Sequence, residues 1–399
     1  MLKDINQLHQ IASKETKVIL GLMSGTSLDG LDLALCKIQG NGLQTSVDVL
    51  HFETVSYSVE LRNELYKIFC KEEVSLEKVC LLNNFIGKHH AQLINQCLKK
   101  WKVKNTDVDL IASHGQTIYH APKHKHPNSC YDNATLQIGD ADQIALNTGI
   151  ITISDFRQKH IASGGEGAPL AVYGDYFLLS TEEENRILLN IGGISNFTFL
   201  PKTLLFEEVI CTDVGPGNTL MDSYVQQHFD GLQFDENASI ALQGKVNDGL
   251  LLTLQSHEFF QQPLPKSTGQ EIFNSNFIDG ALKNSNTNNL SSEDVLATLN
   301  KFTATCIANT IQENIQENDY TIYVSGGGIN NSLLMQNLKN EMPQIKIENT
   351  SSLGINPNAK EAILFAVLAN ECISGDSKFY NSNPKNIPVI TMGKISLPN

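Results

Sequence analysis

Residues 17–38, KVILGLMSGTSLDGLDLALCKI, read as strand, glycine-rich loop, strand. KVILGLMSG and LDLALCKI carry the apolar, β-forming residues, with TSLDG between them. A third β-rich run, VDVLHFETVSYSV, follows at 47–59. Three short strands with tight links describe an antiparallel meander opening a mixed sheet. Glycines in the loop permit positive φ and close approach of a phosphate to the backbone. Ser24, Thr26 and Ser27 add hydroxyl donors, and Asp29 or Asp32 could hold Mg2+ through water. The same residues equally describe an ordinary hairpin whose Asp29-Gly30 sets the turn.

Outward from this hairpin, helical patterns cover 60–71 and 76–100, where Leu81, Leu82, Phe85, Ile86, Leu93 and Ile94 recur at helix spacing. A strand at 108–114, a polar loop with histidines and a strand-like ATLQIGD come next. Near residue 186 a second cycle begins: RILLNIGG, ISNFTFL and EEVICTDV, then GPGNTLMDSYVQQHF as a loop entering a helix. Helices at 240–257 and 292–317, the strand YTIYV and a last helix at 360–373 complete it. Two such cycles imply two related lobes, 1–185 with 358–399 and 186–357. The Asn/Ser-rich stretches 284–292 and 374–385 read as solvated loops, the second expected to be mobile.

The chain has 399 residues, 41% of them hydrophobic, enough for two cored domains. Its formal charge of −14 argues against a nucleic-acid or anionic-membrane surface and favours a small-molecule partner. Backbone amides and a metal ion can still hold phosphate. No window approaches the roughly 20 apolar residues of a membrane span, and the polar start MLKDINQLHQ lacks signal-peptide order. A cytoplasmic protein is the simplest expectation. Eight scattered cysteines without a C-x-x-C pair read as small hydrophobes. The histidines His120, His124 and His126 resemble a metal patch but lack cysteine or acidic partners, so no protein-held metal is read.

Three further loops carry chemistry. Asp213-Val214-Gly215-Pro216-Gly217-Asn218 places a carboxylate at a strand end before a glycine turn and a helix N-terminus. There a base can meet a hydroxyl or water while backbone holds phosphate; the bland reading of Asp213 is a helix cap. Asp222, one turn into the helix, reads as an orienting residue. Gly326-Gly327-Gly328 after YTIYV removes side chains where a nucleobase or ribose could lie flat, or is simply a strand-to-helix turn. Gly192-Gly193 within NIGGISN forms another turn, equally open to a structural reading.

Together these loops resemble the sugar kinase, actin and heat-shock chaperone ATPase superfamily, an α/β, two-lobed, ribonuclease H-like fold. That resemblance implies a mixed five-stranded sheet in each lobe and ATP in a cleft between them, clamped from both sides. The likeness narrows further. GLMSGTSLDGLD, SHGQT, LQIGD, DFR, GGEGAPL, NIGGISN, DVGPGN, KSTG, GGG and KEAILFA occur in the order seen in anhydro-N-acetylmuramic acid kinases.

The family resemblance implies one coupled reaction. Water opens the 1,6-anhydro bridge at C1 while O6 accepts the γ-phosphoryl of ATP, giving N-acetylmuramic acid 6-phosphate in peptidoglycan recycling. It makes Asp213 the general base. Gly25, Thr26, Ser27, Leu28, Asp29, Gly30, Leu31 and Asp32, with Gly192, Gly193, Gly215, Gly217 and Asn218, would serve the nucleotide phosphates and Mg2+. Gly326, Gly327 and Gly328 would flank the nucleoside. His114, Gln116, Arg157 and Glu361 are the sugar candidates, Arg157 for the lactyl carboxylate. Structural alternatives stand beside each: a satisfied histidine for His114, a salt bridge for Arg157, a helix-dipole partner for Glu361. Glu166, His160, Ala171-Val172 and Gln270 depart from the pattern, which keeps a neutral anhydrosugar such as levoglucosan as an alternative substrate. An ATP-switched binding protein is the reading from another class. A homodimer is left open.

Overall fold

The computed structural model describes residues 3–123, 126, 130–316, 319–354, 356–375, 379 and 388–399. His124 and most of 374–385 therefore lie outside the described residues. Two compact units are present, Met1–Leu179 with Asn358–Asn399, and Ser180–Pro357.

The first unit holds β1 (Thr16–Ser24), β2 (Gly30–Gln39), β3 (Ser46–Ser56), β4 (Leu110–Ala121), β5 (Ala134–Ile138) and β6 (Thr152–Ser154). The second holds β7 (Asn185–Ile191), β8 (Ile194–Leu200), β9 (Ile210–Pro216), β10 (Tyr320–Ser325) and β11 (Lys346–Asn349). The short β12 (Lys394–Ser396) returns to the first sheet. In the first unit β3-β2-β1 is antiparallel, and β4 and β6 extend it in parallel from β1. In the second, β9-β8-β7 is antiparallel, and β10 and β11 extend it in parallel from β7. Both units thus share one five-strand order with the same directions.

The first sheet has seven strands rather than the expected five. β5 pairs antiparallel with β4, which runs unbroken through SHGQT and His120 where the sequence suggests a loop. β12 adds an edge beside β6. β6 and β12, only three residues each, carry too little periodicity to register in the sequence.

The helix Leu76–Trp101 buries Leu82, Ile86, Leu93 and Ile94 against the first sheet, while Leu81 and Phe85 face outward. The helix Lys360–Ser374 is buried along most of its length. It approaches β1 so closely that a Cβ on Gly21 would lie 1.9 Å from the Ala362 carbonyl oxygen. In the second unit the helix expected over 240–257 shrinks to Asp248–Gln255, capped by Asn247. Gly244 explains the loss: its Cα lies against the Glu293 carbonyl, 2.0 Å from a would-be Cβ, so the chain passes there extended. The helix Ser292–Asn314 packs the second core with Phe259, Phe273 and Phe302. Among the described residues, no helix is long and apolar enough to cross a membrane.

Candidate active site

In the first unit, the β1–β2 link leaves Thr26, Ser27 and Asp29 exposed and buries Leu28 and Leu31 in the core. Leu28 takes φ +57, with its amide donating to the Gly25 carbonyl, so the loop is a tight turn anchored by one apolar side chain. Ser27 Oγ donates to Asp29 Oδ1 at 2.7 Å. Asp32, half-buried, accepts from Thr54 Oγ1, and burial followed by the Asp29 charge raises its carboxyl pKa despite that bond. Two neighbouring carboxylates with exposed hydroxyls fit a hydrated Mg2+, whose charge relieves their repulsion. A Cβ on Gly25 would meet only Ser27, with its Oγ at an ordinary contact distance of 3.5 Å.

Buried His114 and Gln116 and half-buried Gln137 and Arg157 form one cluster. His114 Nδ1–H donates to the Ser24 carbonyl at 3.1 Å. Its Nε2 accepts from Arg157 Nη2 and Gln137 Nε2, each at 2.9 Å. Burial, then the Arg157 charge, drops the His114 pKa to about 3, so the ring is a neutral acceptor. Both ring nitrogens are thus committed to protein partners. Gln116 is committed likewise, accepting from Ser24 Oγ at 2.6 Å and donating to the Gly25 carbonyl at 3.0 Å.

Arg157 follows Asp155, which sits at φ +54 and opens the helix Phe156–Ala162. Its Nη1 donates to the Gly167 carbonyl at 2.6 Å. Burial lowers its pKa to about 10, opposed by the Glu361 charge. Its Nε is buried without a partner, and no carboxylate stands within ion-pair distance among the described residues. A salt-bridge role for Arg157 is not what the structure contains. Glu361, in the first turn of Lys360–Ser374, reaches solvent, and its pKa is raised by desolvation and by Asp32.

The departing His160 is buried beside this cluster, accepting the Gly167 amide on Nδ1 at 2.9 Å. With Arg157 on the Gly167 carbonyl, both backbone polar groups of this residue of GGEGAPL are held. His120 Nδ1 contacts Thr135 Oγ1.

In the second unit β9 continues to Pro216, so Asp213 is not at a strand end. Asn196 pairs with Asp213 but Ser195 with Gly215, which makes Val214 a bulge that re-aims the neighbouring side chains. The helix Thr219–His228 is flanked by Asn218, which excludes Asp213 as its cap. KSTG meets Asp213 across some fifty residues of sequence. The Asp213 amide donates to the Lys266 carbonyl at 3.0 Å, and the Thr268 amide donates to Asp213 Oδ2 at 2.8 Å. Lys266 lies 4.5 Å over the Phe259 ring and donates to the Phe259 carbonyl. Nothing in local periodicity marks this partnership.

Gly192 and Gly193 zip onto the second glycine turn: their carbonyls accept from the amides of Asn218, Gly217 and Thr219. Those three amides are therefore occupied by protein. Asp222 is half-buried, with its pKa raised to about 6 by burial. Gly326, at φ +85, passes 2.6 Å (as a would-be Cβ) from the Ile191 carbonyl, while Gly327 is exposed with nothing nearer than 3.8 Å. The run is thus part packing requirement and part open backbone surface that fits a flat ligand.

A family model described as anhydro-N-acetylmuramic acid kinase matches residues 17–393. A protein of that name from Pseudoalteromonas atlantica is 53% identical, covering 100% of both chains. One from Caldanaerobacter subterraneus subsp. tengcongensis is 39% identical over 98% of this chain and 100% of its own. Among solved structures, the activator of the 2-hydroxyisocaproyl-CoA dehydratase from Clostridium difficile with bound ADPNP aligns over 90% of this chain and 96% of its own, with TM-score 0.42 and 12% identity.

Proposed function

The chain belongs to the anhydro-N-acetylmuramic acid kinase family, and from that premise we propose how its own residues perform the reaction. The protein is an ATP-dependent kinase that opens the 1,6-anhydro ring of 1,6-anhydro-N-acetylmuramic acid and phosphorylates O6. Asp213 takes a proton from water as that water attacks C1. The C1–O6 bond breaks, and O6 attacks the γ-phosphorus of ATP, releasing ADP. No separate base is needed at O6, because ring opening itself generates the nucleophile. The Thr268 amide on Oδ2 fixes the orientation of the carboxylate.

Thr26, Ser27 and the backbone of 25–30 receive phosphate; in the second unit the turn of Gly192 and Gly193 serves the same ligand, its shape fixed by the Gly217 and Asn218 amides on its carbonyls. Asp29 and Asp32 would hold a hydrated Mg2+, which would supply positive charge to the phosphates. Gly326, Gly327 and Gly328 face the nucleoside. His114 and Gln116 act through others, aiming Arg157 and the first glycine loop, and Glu361 contributes an acceptor to the sugar.

The observation that carries the substrate is Arg157: a half-buried cation with no carboxylate within ion-pair distance among the described residues, only the more distant Glu361 charge, and a partnerless Nε–H. Two of its five N–H donors serve protein; the rest suit an anionic substrate group, such as the lactyl carboxylate. A neutral anhydrosugar would leave those donors without an anion to bind, which disfavours levoglucosan. His160 does not count against this reading, since its contact is with the Gly167 amide. Purified protein with Mg-ATP and each anhydrosugar in 18O-labelled water tests the proposal. Label at C1 and phosphate at O6 of the lactyl-bearing sugar are expected. ADP release with levoglucosan alone refutes the substrate.

A further inference from the structure

Four side chains form a hydrogen-bond chain whose direction can be worked out from one end. Gln116 Nε2 faces two carbonyls, of Gly25 at 3.0 Å and Thr117 at 3.3 Å, which can only accept. Its Oε1 therefore faces Ser24 Oγ, and the serine must donate to it, at 2.6 Å. The Gly30 carbonyl, 3.2 Å from the same hydroxyl, can also only accept, so Ser24 has no proton left for Tyr57 and Tyr57 OH donates across 2.9 Å. The tyrosine oxygen then accepts from His90 Nε2–H at 2.8 Å. The polarity runs His90, Tyr57, Ser24, Gln116, Gly25.

All four side chains are buried, with His90 and Gln116 wholly inaccessible. His90 comes from the helix Leu76–Trp101 and Tyr57 from just beyond β3; neither belongs to any glycine loop. The chain ends on the carbonyl of Gly25, while His114 takes that of Ser24 and the Tyr57 amide takes that of Asp29. Three carbonyls at the two ends of the loop are thus turned onto protein donors. Their negative ends are kept from an anionic ligand, and the loop is held in one shape before that ligand arrives. A relay with every donor matched specifies such a shape better than packing alone.

We propose that Tyr57 and His90 are positioning residues for ATP, setting the first glycine loop through Ser24 and Gln116. This rests on the reading of 25–30 as a phosphate loop. Tyr57→Phe keeps the ring but removes the donor to Ser24, and His90→Leu removes the donor to Tyr57. Each should raise the Kd for Mg-ATP, measured by calorimetry, about three- to tenfold, the span of one hydrogen bond. The KM for the sugar should stay within about twofold, because Arg157 and Glu361, the proposed sugar contacts, lie outside the relay. His90→Gln, which offers an amide N–H to Tyr57, should restore wild-type nucleotide binding. The double variant Tyr57→Phe/His90→Leu should bind no more weakly than the worse single variant, since both break one chain. Equal Kd in folded Tyr57→Phe and wild type, or additive losses in the double variant, overturns the relay. Wild-type protein that binds Mg-ATP but phosphorylates no anhydrosugar overturns the function instead and leaves the relay standing.

Discussion

Acid should unfold the first unit through its histidines. His90, His114 and His160 are buried and neutral, with pKa values held at about 3, about 3 and about 4 by desolvation, and for His114 and His160 also by Arg157. In the unfolded chain each titrates at 6.5. Above that pH neither state binds the proton, so these groups contribute no pH dependence. As pH falls below 6.5 the unfolded chain takes up protons that the native unit refuses, and stability is lost until the native values are reached. At pH 5 the cost is about 1.4 kcal/mol per pH unit over 1.5 units, or ~2 kcal/mol for each histidine. Three together amount to ~6 kcal/mol, a large part of the ~5–15 kcal/mol that ordinarily separates folded from unfolded. Urea unfolding followed between pH 7.5 and 5, with a probe in the first unit, should show this fall. His160→Gln can still accept the Gly167 amide but cannot titrate, so its stability should decline less steeply, by about 1.4 kcal/mol per pH unit between pH 5 and 6. Identical slopes for the variant and the wild type, or a folded-state His160 imidazole that titrates near 6.5 by NMR, would refute the reasoning.

Asp213→Asn keeps an oxygen for the Thr268 amide, so melting temperature should hardly move; kcat should drop about 10²–10⁴-fold in an ADP-release assay for loss of the base. Arg157→Lys cannot reach His114 and the Gly167 carbonyl together, so the sugar KM should rise roughly tenfold to hundredfold, with ATP binding intact. Gly21→Ala drives a methyl into the Ala362 carbonyl and should destabilise by about 1–3 kcal/mol in thermal melts, while the folded fraction keeps its KM values.

The β-meander at 17–59 and its echo at 186–213 were legible because strand, tight glycine turn and strand are local chemistry. So were the helices Leu76–Trp101, Ser292–Asn314 and Lys360–Ser374, whose period declares a buried face. Asp213 stood out for the same reason, set among glycines that leave few other reactive groups. Its surroundings did not. A bulge at Val214 needs the register of β8, and the Thr268 amide arrives from far along the chain. The 240–257 helix failed because Gly244 meets the backbone of Glu293, a contact that no local pattern encodes. SHGQT named His114 and Gln116, yet only the folded cluster reveals that their polar atoms are committed to protein and that Arg157 keeps a partnerless Nε–H. Sequence determines what each short stretch prefers and which reactive groups exist, since those depend on neighbours a few bonds away. Which donor faces which acceptor, and which donor is left without one, depends on groups brought together through space, and tertiary structure alone decides it.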